Sequence, residues 1–190
     1  MHWISKLVFK IIGWKVKRPL PSEAQRSVMI GAPHTTNWDF IILRLAFYQL
    51  NIPMKVAIKD FWTKFPFGLI IKPMGGLGIN RKKDPKKKGK SYVEQMADYF
   101  DQYERIAMIV APEGTRSFRK QWKTGFYHTA KLAGVPITFG YLDYEKKEAG
   151  VGGVLYLTDD MEADMKKIME FYKDITPKNP ENFSLDERYV

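Results

Sequence analysis

From Ser27 onward, segments typical of β-strands alternate with segments typical of α-helices. An apolar run over residues 27–32 precedes a helix-like run over 37–50, and a second apolar run covers 53–58. Parallel strands need a crossover connection between them, and that connection is usually a helix. The alternation therefore predicts an α/β domain with a mainly parallel, mixed sheet flanked by helices.

The rest of the chain continues the same pattern. Further strands are predicted over residues 75–80, 105–111, 135–142 and 151–157, and further helices over 92–103, 125–132 and 161–172. We divide the chain into a helix over residues 1–18, a linker over 19–26, one core domain over 27–176 and a polar tail over 177–190, expected to be loosely held.

The composition restricts the chemistry of the chain. Its 31 basic and 21 acidic residues give a net charge of +10, which indicates an anionic partner such as a lipid surface, a phosphorylated molecule or a nucleic acid. There is no cysteine, which excludes a disulfide scaffold, a thiol nucleophile and cysteine-ligated metals. With three histidines, we expect no metal and no bound cofactor.

The first eighteen residues combine apolar and basic side chains at helical spacing. One half of the helical wheel is apolar and the other carries lysines, namely Trp3, Ile4, Leu7, Val8, Ile11, Ile12 and Trp14 against Lys6, Lys10 and Lys17. Such a helix can lie in a membrane interface or dock on the protein's own core. We find no apolar stretch of about 20 residues and no signal peptide, so a cytoplasmic location is expected.

Two loops that follow predicted strands carry reactive side chains. In residues 32–39, His34 follows the first strand and Asp39 begins the next helix, so the carboxylate can fold back and orient the imidazole as a general base. In residues 111–117, Arg116 stands beside a glycine and small hydroxyl residues, a set that suits an anionic oxygen group. A structural alternative makes Asp39 a helix-start residue and pairs Glu113 with Arg116 at the surface.

A third loop, residues 75–81, is rich in glycine and ends at Arg81. The three loops give H-x-x-x-x-D, then G-x-x-x-I-x-R, then E-G-T-R-S, and residues 123–126 and 135–137 add K-T-G-F and V-P-I. Over residues 27–142 the chain resembles the 1-acylglycerol-3-phosphate (lysophosphatidic acid) acyltransferase family of glycerolipid acyltransferases.

The resemblance implies a reaction and a role for each motif residue. His34 would take a proton from the acceptor hydroxyl, and Asp39 would orient it. The hydroxyl would attack the thioester of acyl-CoA or acyl-carrier protein directly. Phosphate and acceptor binding would fall to the remaining motif residues, Arg81, Glu113, Gly114, Thr115, Arg116 and Ser117.

The acceptor and the cellular partners are also expectations from the resemblance. A lysophospholipid such as 1-acylglycerol-3-phosphate is the expected acceptor, although Gly78, Thr138 and Phe139 depart from the family pattern and leave another head group open. We expect peripheral association with an anionic membrane surface, at the inner face of the cell membrane. The alternative is a non-catalytic peripheral membrane protein that binds lipid or another polyanion.

Two segments remain open to more than one interpretation. The basic run over residues 81–90 lacks interleaved aromatic residues, so we expect contact with lipid head groups or solvent and no nucleic-acid binding. The aromatic residues of 61–67 fit a core, the wall of an acyl-chain groove or contact with a bilayer.

Overall fold

The structure is a computed structural model, and it describes residues 2–80 and 90–190. Its strands cover Lys15–Val16 (β1), Arg26–Gly31 (β2), Met54–Lys59 (β3), Gly76–Ile79 (β4), Ile106–Val110 (β5), Ile137–Asp143 (β6) and Glu148–Leu155 (β7). Its α-helices cover His2–Ile12 (α1), Trp38–Leu50 (α2), Gly68–Ile71 (α3), Tyr92–Gln102 (α4), Gly125–Ala133 (α5) and Met161–Tyr172 (α6).

The seven strands form one sheet in the order β1-β7-β6-β2-β5-β3-β4. All neighbouring pairs are parallel except β6 and β7, which are antiparallel. That exception follows from the connection: only four residues, 144–147, separate the two strands, too few for a parallel crossover. The predicted mixed, mainly parallel sheet is confirmed, and β7 begins three residues earlier than the sequence pattern indicated.

The sheet has a hydrophobic core on each face, as expected for strands covered by helices on both sides. Alternate side chains of β2 show this division, because Val28 and Ile30 belong to one core and Met29 to the other. Helices α4, α5 and α6 pack against the first core, and α1 and α2 pack against the second. The carboxyl ends of β2 and β5, which are paired directly, therefore emerge side by side between two rigid layers.

Helix α1 is present, but it is shorter than the predicted helix over residues 1–18. It ends at Ile12, and β1 pairs with β7 immediately afterwards. Trp14, which the wheel placed on the apolar face, lies beyond the helix and is buried. Phe9 and Ser5 face the protein, whereas the apolar face that includes Trp3 and Ile11 is exposed.

The C-terminal tail is packed against the core, so the expectation of a loosely held segment is wrong. Asp186 is fully buried and its carboxylate accepts a hydrogen bond from the Trp122 backbone N–H at 3.0 Å. Arg188 donates to the same carboxylate at 2.7 Å and to the Trp122 carbonyl oxygen at 2.8 Å. The polar composition misled the prediction because these polar groups satisfy one another inside the fold.

Candidate active site

His34 and Asp39 lie together at the carboxyl end of β2. His34 follows the strand, Asp39 occupies the first turn of α2, and His34 Nδ1 lies 3.1 Å from Asp39 Oδ2. Since an ionised carboxylate only accepts hydrogen bonds, Nδ1 carries the proton and Nε2 keeps a free lone pair. The Asp39 side chain is 6% exposed and that of His34 is 23% exposed, so the imidazole is reachable from solvent while the carboxylate is shielded.

The Asp39 carboxylate is fixed by more than the histidine. Its Oδ2 atom accepts hydrogen bonds from the backbone N–H groups of Thr35 and Thr36, both at 2.9 Å. Thr35 is in turn held by the tail, because the Asn179 side-chain amide donates to its carbonyl oxygen at 3.1 Å. The loop between β2 and α2 is therefore tied down at several points, which preorganises the His34–Asp39 pair.

Glu113 joins the loop after β5 to the loop that carries the histidine. Its Oε1 atom accepts a hydrogen bond from the His34 backbone N–H at 2.9 Å, and its side chain is buried. The Oε2 atom is buried and has no hydrogen-bond partner among the described residues. Burial raises the pKa of Glu113 from 4.5 to about 7 because the charged form loses its water.

The rest of the 113–117 loop is more open than Glu113. Gly114 has a φ of 67°, which glycine adopts readily, and a Cβ there would stand 2.7 Å from the Lys123 ammonium. Arg116 and Ser117 are exposed, and Thr115 is half-buried. Among the described residues, Arg116 has no ion-pair or hydrogen-bond partner, so its guanidinium is free to bind an anion.

Comparisons with known proteins place this arrangement in a family. A family model described as Acyltransferase matches residues 14–138, more than half of the chain, including the His34–Asp39 pair and the loop at Glu113. The chain belongs to the acyltransferase family. The resemblance seen in the sequence motifs is thereby confirmed.

The curated relatives of this chain share one name. The chain is 30% identical over 144 residues to the 1-acyl-sn-glycerol-3-phosphate acyltransferase of Escherichia coli K12. It is 27% identical over 145 residues to the protein of the same name from Haemophilus influenzae. Each alignment covers 72% of this chain, but 55% and 56% of those relatives, so the chain spans about half of their length.

A solved structure has the same fold as this chain. The crystal structure of the 1-acyl-sn-glycerophosphate acyltransferase from Thermotoga maritima matches with a TM-score of 0.54, covering 90% of this chain and 75% of that chain. Sequence identity over the match is 14%, so the likeness shows a shared architecture.

An apolar cavity of about 120 Å³ adjoins the His34–Asp39 pair. It lies between α2 and the sheet, and its wall is formed mainly by aliphatic and aromatic side chains such as Phe40, Leu43, Met54, Val56 and Ile109. A short apolar space beside a candidate general base suits part of a lipid chain, since each buried methylene contributes about 0.8 kcal/mol.

Tyr144 is a residue of the candidate site that the sequence motifs missed. It follows β6, and its hydroxyl donates a hydrogen bond to Asp39 Oδ1 at 2.7 Å. Burial raises the pKa of Tyr144, and the bond to Asp39 raises it further, so the phenol stays a donor. Its ring packs edge-on against Trp14 with centroids 5.0 Å apart. Only the V-P-I motif, which runs into the start of β6, pointed to this region.

The structure brings most of the predicted site residues together. His34, Asp39 and Glu113 are linked directly, and the loop from Gly114 to Ser117 continues from Glu113. Arg81 and residues 82–89 of the basic run lie outside the described residues, and Lys90, the last residue of the run, pairs with Asp98 at 2.6 Å. The strand before them, β4, is parallel to β3 and ends at the same edge of the sheet as β2, three strands away.

Proposed function

We propose that this acyltransferase moves a fatty acyl group from an acyl thioester to a hydroxyl of a lysophospholipid, with 1-acylglycerol-3-phosphate as the acceptor. The observation that carries the proposal is the His34–Asp39 pair, in which the carboxylate is fixed and the imidazole leaves Nε2 open beside an apolar cavity. The names of the curated relatives support the choice of acceptor.

The reaction needs one base that also returns its proton. His34 Nε2 removes the proton of the acceptor hydroxyl as the oxygen attacks the thioester carbonyl carbon. The tetrahedral intermediate then collapses, the C–S bond breaks, and the leaving thiolate takes the proton from the imidazolium. Asp39 stabilises the imidazolium between the two steps, and no acyl-enzyme forms because the acceptor attacks directly.

Substrate binding falls to the loops around the base. Arg116, exposed and unpaired among the described residues, binds the acceptor phosphate together with Arg81, which follows β4 in the sequence. Gly114, Thr115 and Ser117 shape the glycerol site, and Glu113 supports it by holding the His34 backbone. The acyl chain of one substrate enters the cavity under α2. The donor is acyl-CoA or acyl-carrier protein.

The proposed place of action is the inner face of the cell membrane. The exposed apolar face of α1 and its lysines match an element that lies in a lipid interface, and the net charge of +10 favours anionic head groups. No helix among residues 2–80 and 90–190 is long and apolar enough to cross a bilayer.

Acyl transfer by the purified protein tests the proposal directly. Wild type and His34→Ala are incubated with lysophosphatidate and each thioester donor, and phosphatidate is measured by mass spectrometry. We expect kcat to fall about 10²–10⁴-fold in the variant, because the base is lost. His128→Ala is the matched control, since that histidine is exposed on α5.

The outcomes separate the competing functions. Wild-type turnover in a folded His34→Ala variant contradicts the mechanism. Turnover with a different lysophospholipid but not lysophosphatidate changes the acceptor and keeps the chemistry. If no thioester is consumed while vesicles still bind, the chain is a non-catalytic lipid-binding protein.

A further inference from the structure

The exposed apolar side chains are concentrated on one side of the molecule. Among the described residues, eighteen large apolar side chains are exposed, and fourteen of them lie on α1, at the start of α2, or between β3 and β4. The last group forms what we call the 61–74 segment, whose most exposed members are Phe61, Trp62, Phe65, Leu69 and Ile70. The other four exposed apolar residues, Phe118, Leu132, Tyr156 and Val190, are scattered singly along the chain, as on ordinary protein surfaces.

The topology puts the 61–74 segment on the same face as α1 and α2. The connections β2–α2–β3 and β3–α3–β4 advance in the same direction across the sheet, so right-handed crossovers place α2 and α3 on one side. Contacts agree with this placement, since a Cβ at Gly75 would stand 3.6 Å from the Arg44 side chain of α2. The segment also begins at the carboxyl end of β3, the edge of the sheet that carries His34.

The aromatic side chains of the 61–74 segment pack on one another, but no other part of the described structure buries them. Phe61, Trp62 and Phe67 pack on one another with ring centroids 4.9–5.8 Å apart, yet each remains at least 42% exposed. Phe65 is 85% exposed and Leu69 is 71% exposed. A contiguous apolar patch of this kind on a folded surface marks an interaction site.

The charges around the patch favour a lipid surface as its occupant. Lys59, Lys64 and Lys72 flank the aromatic residues, against one carboxylate, Asp60, which pairs with Lys64 at 2.8 Å. Aromatic rings with lysines at their edges are typical of segments that sit at the boundary between head groups and acyl chains. Anionic lipids attract each basic side chain near the surface.

We propose that the 61–74 segment is a second lipid-binding element, which inserts Phe65, Leu69 and Ile70 into an anionic bilayer alongside α1. Two insertion points on one face give firmer attachment than one, because a single short apolar anchor binds only marginally. They also turn the His34 edge and the cavity under α2 toward the lipid. This inference rests on the proposed function, since the proposed acceptor is a lipid of the bilayer and the enzyme must lie against the bilayer to reach it.

Depth labelling tests the inference on the full chain. The chain has no cysteine, so Phe65→Cys carries the only thiol and can be labelled with an environment-sensitive fluorophore. Vesicles of equal parts phosphatidylglycerol and phosphatidylethanolamine should shift the label's emission to the blue, and nitroxides on the acyl chains should quench it. Leu132→Cys is the matched control, because Leu132 is 58% exposed on α5, on the other face, and should stay unquenched.

Vesicle affinity gives a second readout. In the Phe65→Ser/Leu69→Ser variant we expect the partition coefficient to fall at least about tenfold, because several buried methylene equivalents are lost. Leu132→Ser should bind as wild type does. Acyl transfer in detergent micelles should be unchanged in both variants, so a failure of this inference is distinguishable from a failure of the proposed activity.

Two results would overturn the inference. One is a Phe65→Cys label that vesicles neither shift nor quench while the protein itself sediments with them. The other is a lipid-free dimer, seen by light scattering, that dissociates in the Phe65→Ser/Leu69→Ser variant, which would assign the patch to a second copy of the chain.

Discussion

At the scale of single residues, the site depends on how completely one carboxylate is held. Asp39 receives hydrogen bonds from two backbone N–H groups, one imidazole and one phenol. These hydrogen bonds restrict rotation of the Asp39 carboxylate. Because the carboxylate in turn holds the imidazole, the direction of His34 Nε2 is set before substrate binds. The donors differ in origin: three are local, and the phenol of Tyr144 comes from 105 residues away.

Tyr144→Phe isolates the contribution of that phenol. The ring can keep its contact with Trp14 while the hydrogen bond to Asp39 Oδ1 is lost. A hydrogen bond to a charged group contributes about 1.5–3 kcal/mol, so we expect kcat to fall roughly 10- to 100-fold with little change in KM.

Kinetics and unfolding together distinguish positioning from general damage in that variant. Acyl-transfer assays should show the loss in kcat with KM nearly unchanged, while urea unfolding should show a stably folded protein. A matching loss of unfolding free energy and a raised KM would show that Tyr144 acts through packing alone.

Glu113 makes folding stability depend on pH. Its pKa is about 7 in the folded protein, against 4.5 as an ordinary side chain, so the folded state binds its proton more tightly than the unfolded state does. Stability therefore falls as pH rises from about 4.5 to 7, by roughly 3 kcal/mol in total.

Glu113→Gln should remove that dependence while keeping an oxygen for the His34 N–H. We expect urea unfolding of wild type to show a lower free energy of unfolding at pH 8 than at pH 5, with a flatter profile in the variant. Parallel profiles for the two proteins would mean that Glu113 does not titrate in this range.

At the scale of elements, α1 has one face buried against the core and one apolar face exposed to solvent. Phe9 is 3% exposed and packs against the core on the α2 side of the sheet, whereas Ile4 and Ile11 are exposed. Substitutions on the two faces should therefore separate stability from lipid binding.

Phe9→Ala should lower the free energy of unfolding by about 3–5 kcal/mol, because it empties a buried site. Ile4→Ser combined with Ile11→Ser should leave unfolding nearly unchanged and weaken binding to anionic vesicles. Urea titration and vesicle sedimentation of the two proteins make the comparison. Equal vesicle binding by wild type and the double variant would contradict an interfacial role for α1.

At the scale of the whole molecule, local patterns predicted the layers but not the long-range polar contacts. The strands β2 and β5 could be predicted from their apolar runs, because burial on both faces of a sheet selects continuous hydrophobic segments. The meeting of His34 and Glu113 was also foreseeable in outline, since the carboxyl ends of parallel strands share one edge. For this reason the motif loops could be assigned to one site from the sequence.

Tyr144 and the C-terminal tail were not foreseeable in that way. The tyrosine reaches Asp39 only because the antiparallel β6–β7 pair turns beside the site, and nothing in its neighbourhood marks it as special. The tail is polar, and its burial depends on mutual satisfaction among Asn179, Asp186, Arg188 and their partners. Hydropathy does not report such pairing.

The short join between α1 and β1 has a mechanical consequence. Two residues, Gly13 and Trp14, separate the helix from a strand that is hydrogen-bonded into the sheet, and Trp14 is itself buried. The helix is therefore attached rigidly to the domain and not through a flexible linker. A surface that binds α1 therefore also fixes the orientation of the whole domain. As the protein diffuses along that surface, the sheet edge that carries His34 keeps a constant angle to it.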